Sequence, residues 1–274
     1  MDSGSRNVVK TAGNIVYDYA WEDLLRQNGL LDFDRVMDME EEEVVKHAVA
    51  QRKTARVLLR DGEEVLQAYL KRHYPPGFIK RVGQLLRLSR PKTAVHEFES
   101  IVAFRDNGIP TMTPIAAGLQ RRGLLQTRSF LITKALSGCV RLDHLLADPR
   151  ALSGTQKRTL IGQVADLVRN MHERGFNHRD LYLCHILRNT MGGLYLVDLH
   201  RVDRRKQVPE RWIIKDLAAL NYSAPTNTMR RTDRLYFLKC YLGTERLSAP
   251  DKLFALKILK KTKKMIQHNE KRKS

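Results

Sequence analysis

This chain of 274 residues is poor in cysteine and aromatics and lacks a long apolar run. Its three cysteines, Cys139, Cys184 and Cys240, form an odd, widely spaced set without zinc-ligand spacing. That pattern points to reduced thiols and away from a disulfide scaffold or zinc finger. No segment approaches the ~20 apolar residues of a membrane-spanning helix, and the polar amino-terminal stretch lacks the apolar centre of a secretion signal. A cytoplasmic protein is the resulting expectation. Internal repeats and low-complexity linkers are missing as well. Acidic charge is scarce, 30 Asp and Glu against 49 Lys and Arg, for a net charge of +19. The deficit is uneven: residues 1–45 hold eleven acidic and four basic side chains, a net −7, so the remainder carries +26.

What is present decides the class. Hydrophobic residues at 42% with 29% charged residues are the proportions of a globular protein that buries a good core. A field as basic as this attracts polyanions. No zinc finger, aromatic-rich RNA-binding motif or helix-turn-helix signature accompanies it, so nucleic acid is disfavoured as the main partner. An anionic membrane surface, a phosphorylated glycolipid or an acidic carrier protein fits better.

Along the chain, Tyr17–Asp38 mixes aromatics with carboxylates, as a leader packed onto the first lobe. Glu40–Glu43 suggests a solvated turn or helix start. Arg56–Leu59 and Val65–Leu70 flank Asp61-Gly62, a strong hairpin signal, and Lys71 follows the second strand. Pro76–Leu88 has Phe78, Ile79, Val82, Leu85 and Leu86 on one helical face with Lys80, Arg81 and Arg87 elsewhere, a pattern for packing in its own lobe or for resting on a membrane. A helix is predicted from Pro91 to Asn107-Gly108, with Val95, Phe98, Ile101 and Val102 on one side and Glu97 beside that stripe. Ser129–Thr133 predicts a buried strand, Lys134–Gly138 a connector, and Thr155–Arg174 a helix stopped by Gly175. Pro250–Ser274 carries nine Lys or Arg among Leu253, Leu256, Leu259 and Ile266, a basic amphipathic helix with a tail.

The chemistry lies in His178-Arg179-Asp180 and the later Val197-Asp198-Leu199-His200-Arg201. Phosphoryl transfer needs one carboxylate to orient an acceptor hydroxyl and another to hold a metal against the phosphates. Asp180 and Asp198, eighteen residues apart, suit those roles. Lys71 ending a hairpin strand would neutralise the α- and β-phosphates of ATP, paired with Glu97; Glu99 and Glu64 are rivals for that pairing. Together these predict an α+β, bilobal protein-kinase-like fold: a small β-rich N-lobe with one main helix, and a mainly helical C-lobe. The expected division is an acidic leader over 1–43, an N-lobe over 44–133 and a C-lobe over 134–274, with ATP and metal between the lobes.

The departures from the protein-kinase pattern are informative. His185 stands where Asn is expected, as a metal ligand, a phosphate contact or a packing residue. Magnesium prefers oxygen ligands, whereas imidazole suits manganese better. His178 and Arg179 are expected to brace the loop. No glycine lies between Val44 and Val57, where Lys46, His47, Arg52, Lys53 and Arg56 stand. Backbone amides approach phosphate closely only where glycine permits, so basic side chains must contribute if this stretch covers ATP, Arg52 first among them. No Ala-Pro-Glu element occurs, only eighteen residues separate Asp198 from Asp216, and Tyr182 replaces the lysine expected two residues after Asp180. Little chain remains for a peptide platform, which favours a small or glycan acceptor.

The stretches His178–Leu187 and Val197–Arg201 resemble the lipopolysaccharide kinase family, the Kdo and heptose I kinases of the bacterial core oligosaccharide. Tyr69–His73, Ser129–Thr133 and Lys215–Leu220 support the likeness, which runs from about Lys46 to about Tyr241. Lys134-Ala135 departs from it by replacing acidic residues expected after Ile132-Thr133. The resemblance implies ATP- and Mg2+-dependent phosphorylation of a core sugar at the cytoplasmic face of the inner membrane. It also implies Lys71 and Asp198 at the nucleotide–metal site, Asp180 as base and Asp216 as the carboxylate bracing the catalytic loop from below. Two other readings stay open: a protein kinase, and a regulatory scaffold of kinase-like fold that binds an acidic partner.

Overall fold

The computed structural model describes residues 9–40, 43–49, 52–75, 93–122 and 126–271. The predicted Pro76–Leu88 helix lies outside the described residues, as do Glu41 and Glu42. The chain forms two compact units, 1–136 and 137–274.

The first unit is built on a seven-stranded antiparallel sheet. Its strands are β1 (Val9–Ala12), β2 (Ile15–Asp18), β3 (Glu43–Val49), β4 (Arg52–Asp61), β5 (Glu64–His73), β6 (Thr113–Arg122) and β7 (Gln126–Lys134), in the order β1-β2-β6-β7-β5-β4-β3. Gly62, with φ +63°, closes the β4–β5 hairpin, a left-handed turn that a side chain would strain. Glu43 opens strand β3, where a turn or helix start was expected, because β3 pairs with β4 from Glu43↔Arg56 onward. Strand β5 runs on to His73, so Lys71 lies inside it rather than after it.

Alternation along the strands gives the sheet two apolar faces. One carries Val57, Leu59, Ala68, Leu70, Phe130 and Ile132, and it packs against Leu24 and Leu25 of α1 (Glu22–Gln27) and Phe33, Val36 and Met37 of α2 (Phe33–Asp38). The acidic leader is therefore core material on its inner side. Arg72 ties it down, its buried guanidinium donating to the carbonyls of Val36 and Met39. Against strands β5, β6 and β7 lies α3 (Ala94–Asp106), capped by Thr93. Its buried stripe is Ala94, Glu97, Phe98, Ile101 and Phe104, while Val95 and Val102 are only half-buried. Glu97 thus sits in the apolar stripe rather than beside it.

The second unit is mainly helical. It contains α4 (Leu142–Ala147), α5 (Gly154–Glu173), α6 (Glu210–Ser223), α7 (Arg231–Leu242) and α8 (Ala249–Glu270). Ser153 starts α5 with a reciprocal capping box to Gln156, and Ser248 starts α8 the same way with Asp251. Leu160, Ile161, Val164, Leu167, Val168 and Met171 recur at helical spacing and are buried. Helix α5 packs on α7, and α6 on α8. Short strands carry the loops: β8 (Val140–Arg141), β9 (Phe176–Asn177), β10 (Ile186–Arg188), β11 (Leu194–Leu196) and β12 (Asp203–Arg204), paired as β11-β10-β8 and β12-β9. Among the described residues no helix is long and apolar enough to cross a membrane.

Candidate active site

In the first unit, the Lys71 ammonium donates to both carboxylate oxygens of Glu97 at 3.0 and 2.9 Å. The lysine side chain is 18% exposed and the glutamate 2%. Burying a carboxylate costs several kcal/mol unless a cation and hydrogen bonds compensate, so α3 fixes where the ammonium must sit. The rivals Glu99 and Glu64 are exposed. Thr54 lies across from Lys71 and Arg52 across from His73, so the register puts Arg52 and Arg56 on the sheet face of Lys71. Lys53, opposite Arg72, is on the other face.

In the second unit the loop predicted to be catalytic is braced by buried hydrogen bonds. Gly175 ends α5 at φ +83°, and a Cβ there would strike the carbonyl oxygen of Arg205. Strand β9 then pairs with β12 and delivers His178 and Arg179. Asp216, fully buried on α6, accepts from the backbone N–H of His178 and of Arg179, both at 2.7 Å. It also faces His172 Nε2 at 3.3 Å, whose Nδ1 meets the Tyr241 hydroxyl at 2.9 Å. Backbone donors aimed at a buried carboxylate are strong hydrogen bonds that hold the loop in one conformation. Arg179 adopts φ +70° there, a strained state that a well-braced loop can maintain.

His178 bonds the Val197 carbonyl through Nε2 at 3.0 Å, linking the loop to the strand that leads into the metal turn. Burial lowers its pKa, outweighing the charge of Asp216, so it is a neutral brace. Arg179 pairs with Asp203 at 3.1 Å and lies over the Trp212 ring.

The strands β10 and β11 and their tight loop bring the two carboxylates of the pattern to adjoining turns. Asp198 takes φ +62° and opens a short helical turn over Leu199–Arg201. Its Oδ1 accepts from His200 Nδ1 at 2.9 Å, and its Oδ2 lies 3.5 Å from His185 Nε2. His185 Nδ1 is 2.8 Å from the backbone carbonyl of Asp180, which puts a proton on Nδ1 and turns Nε2 toward Asp198. Burial disfavours the charged ring, but hydrogen bonds to Cys184 and the Asp180 carbonyl, with the charge of Asp198, raise its pKa above the ordinary histidine value. Among the described residues no group of three or more His, Cys, Asp or Glu converges as a metal cage. Two converging ligands still fit a metal held largely by substrate phosphates and water, the usual way of magnesium at such sites.

Asp180 has a partner that sequence reasoning missed. Arg201 NH1 donates to both of its carboxylate oxygens, at 2.8 and 3.1 Å. The cation expected two residues after the base is supplied instead from the metal turn, three residues past Asp198. The signal was the replacement of lysine by Tyr182 together with an arginine inside the Asp198 motif. A second missed feature is Trp212, on the first turn of α6, with Arg179, Arg205, Arg211 and Lys215 all 5.0–5.7 Å from its ring centre.

Comparison with known proteins gives this geometry a context. The lipopolysaccharide kinase (Kdo/WaaP) family profile matches residues 36–241. The heptose(I) kinase WaaP of Pseudomonas aeruginosa is 35% identical over 183 residues, covering 63% of this chain and 68% of that protein. The heptose(I) kinase of Escherichia coli is 35% identical over 185 residues, covering 64% and 70%. The 3-deoxy-D-manno-octulosonic acid kinase of Xylella fastidiosa is 28% identical over 151 residues, covering 52% and 57%. A solved structure of WaaP in complex with acyl carrier protein matches with a TM-score of 0.68 at 28% identity, covering 89% of this chain and 96% of that one. A β-rich unit with one main helix and a helical unit holding the paired carboxylates are the two parts of a protein-kinase-like fold, and this chain belongs to the lipopolysaccharide kinase (Kdo/WaaP) family.

Proposed function

We propose that this chain transfers the γ-phosphoryl group of ATP to a sugar hydroxyl of the lipopolysaccharide core, with heptose(I) favoured over Kdo as acceptor. The observation that carries the reading is the Asp180 carboxylate, held by Arg201 beside a turn on which Asp198 and His185 converge. The higher identity to heptose(I) kinases, 35% against 28%, supports the choice of sugar. Asp180 orients the acceptor hydroxyl and takes its proton as the oxygen bonds to the γ-phosphorus and the bond to the ADP oxygen breaks. Lys71, fixed by Glu97, neutralises nucleotide phosphates, and Arg52 shares its sheet face. Asp198 and His185 would hold a divalent cation, magnesium or manganese, whose charge offsets that of the phosphates.

Two further parts of the reading concern partners and place. A cavity of about 430 Å³ opens among α5, α6, α7 and α8, lined by Leu160, Ile161, Val164, Leu220, Leu238 and Ile258 among others. Its apolar walls suit the acyl chain of an acyl carrier protein, and a net charge of +19 suits an acidic carrier. On α8, Leu253, Leu256, Leu259 and Ile266 are exposed among Lys260, Lys261, Lys263 and Lys264. A helix of this kind suits anionic lipid by apolar contact and by charge, which supports a site of action on the cytoplasmic face of the inner membrane.

Radiolabelled phosphate transfer from ATP to purified core acceptors tests the activity, with Asp180→Ala run alongside. Label in the glycan that disappears in the variant is the expected result. Metal-dependent ATP binding without transfer would move the acceptor elsewhere, and no ATP binding would favour a scaffold.

A further inference from the structure

The five cations in and beside the Trp212 cluster, Arg179, Arg201, Arg205, Arg211 and Lys215, outnumber the three carboxylates near them, Asp180, Asp203 and Asp216. Arg179 and Arg205 share Asp203, at 3.1 and 3.5 Å, and Arg201 holds Asp180. Lys215 and Arg211 make no ion pair among the described residues, yet both lie against the same indole. Arg211 is exposed, whereas Lys215 is half-buried. Burial lowers the pKa of Lys215, and the charges of Arg201 and Arg179 lower it further, which places these cations within one another's field and beside Asp180. The buried N–H groups of Trp212 Nε1 and Arg179 Nε have no hydrogen-bond partner among the described residues. Helix α6 begins here behind Pro209, whose side chain caps nothing, so its amino end adds partial positive charge. Gathering like charges around one ring is unfavourable without a counter-ion, and perturbed cations beside a catalytic carboxylate mark a functional site.

We propose that Lys215 and Arg211, with Arg179 and Trp212 behind them, form a subsite for an anionic substituent of the acceptor, a carboxylate or phosphate ester near the reacting hydroxyl. The inference rests on the sugar-kinase reading and deepens it: the acceptor is recognised by its charge as well as its hydroxyl. Arg201 borders both, bound to Asp180 on one side and facing the cation cluster on the other. An anionic acceptor therefore approaches the base through a cationic approach region, and a neutral sugar gains nothing from it. Charge-assisted contacts of this kind act on binding and register, so discrimination is expected mainly in KM.

The test compares three acceptors, an intact core glycolipid, its carboxyl-reduced form and its dephosphorylated form, in the full chain and in Lys215→Gln, Lys215→Arg and Arg211→Gln. The expected result is that the preference for one anionic form over its neutralised counterpart, measured as the ratio of KM values, shrinks at least tenfold in Lys215→Gln and less in Arg211→Gln, while Lys215→Arg keeps it. The arm in which the preference collapses identifies carboxylate or phosphate. Equal losses on all acceptors, or no loss, overturn the subsite. If the unsubstituted chain labels no glycan, the kinase reading fails first, and a second readout decides this one. In a Trp21→Phe chain, where Trp212 is the remaining tryptophan, its fluorescence is titrated with a sugar acid (free Kdo) and with a sugar phosphate (glucose 1-phosphate). A saturable change abolished by Lys215→Gln supports the subsite for another acceptor; no saturable change with either probe overturns it.

Discussion

Each unit brings one carboxylate–cation pair to the candidate site, and the two pairs are built in opposite senses. In the β-rich unit the carboxylate is the anchor. Glu97 is 2% exposed inside an apolar helix stripe, and it presents the more accessible Lys71. In the helical unit the carboxylate is the group proposed to meet the acceptor. Asp180 is 16% exposed and is covered by Arg201 at 40%. A buried acid that positions a base must be paid for by the fold, so it sits on a helix packed on a sheet. The carboxylate proposed as the base is held instead by a partner that solvent already reaches.

That contrast makes unequal predictions. Asp180→Asn should lower turnover about 10²–10⁴-fold while leaving ATP affinity within about twofold, measured by single-turnover transfer and equilibrium binding. Retained turnover would remove the working role from Asp180. Glu97→Gln, which replaces the charge facing Lys71 with a neutral amide, should cost about 3 kcal/mol of stability in denaturant unfolding. By contrast Arg201→Gln should stay within about 1 kcal/mol, since solvent screens an exposed pair. Equal destabilisation by the two changes would break the comparison.

A third prediction sharpens it through pH. His178 is buried and its folded pKa lies below that of the unfolded chain. The unfolded chain therefore binds this proton first, and stability present above the ordinary value of about 6.5 is lost as pH falls through the window below it. His185, whose pKa is raised, acts in the opposite direction. Melting curves from pH 7.5 to 5 should show a shallower loss in His178→Gln than in the unsubstituted chain; an unchanged slope would assign the acid sensitivity elsewhere. The smallest effect is at the surface. Leu253→Ser with Leu256→Ser should leave the melting temperature within about 2 °C, since both are already exposed. The same pair should reduce flotation with anionic vesicles several-fold, and equal flotation would take α8 off the membrane.

Much of this was legible in the residues. The Asp61-Gly62 hairpin, the α5 periodicity and the meeting of Lys71 with Glu97 follow from local pattern, because a turn, a stripe and a strand–helix pairing each leave a trace at short range. The stripe of α3 was misjudged because Val95 and Val102 look as apolar as Ala94 and Phe104; only the sheet beneath decides which row is covered. Glu43 looked like part of a solvated acidic run, and pairing with Arg56 across thirteen residues made it a strand. Arg201 was hidden for a similar reason. Its partner Asp180 lies twenty-one residues earlier, and no periodicity connects two loop tips. The crowd of cations on Trp212 comes from three separate segments, which no window of sequence brings together.

The leader that covers the outer sheet face has a consequence for how the chain is made. Strand β2 pairs with Ala116–Gly118 of β6, and the Phe33 ring packs tilted against that of Phe130. A ribosome adding 5–20 residues per second needs roughly 5–20 s to travel the ~100 residues between those partners. Through that interval Leu24, Leu25 and Val36 have at most β3–β5 to lie on, without Ile115, Phe130 and Ile132. The eleven carboxylates of the same segment keep a waiting hydrophobic stretch dispersed, as charged gatekeepers do for nascent strands. The acidic excess of residues 1–45 against the basic remainder is thus also a timetable, covering the earlier part of this core until its later partners arrive.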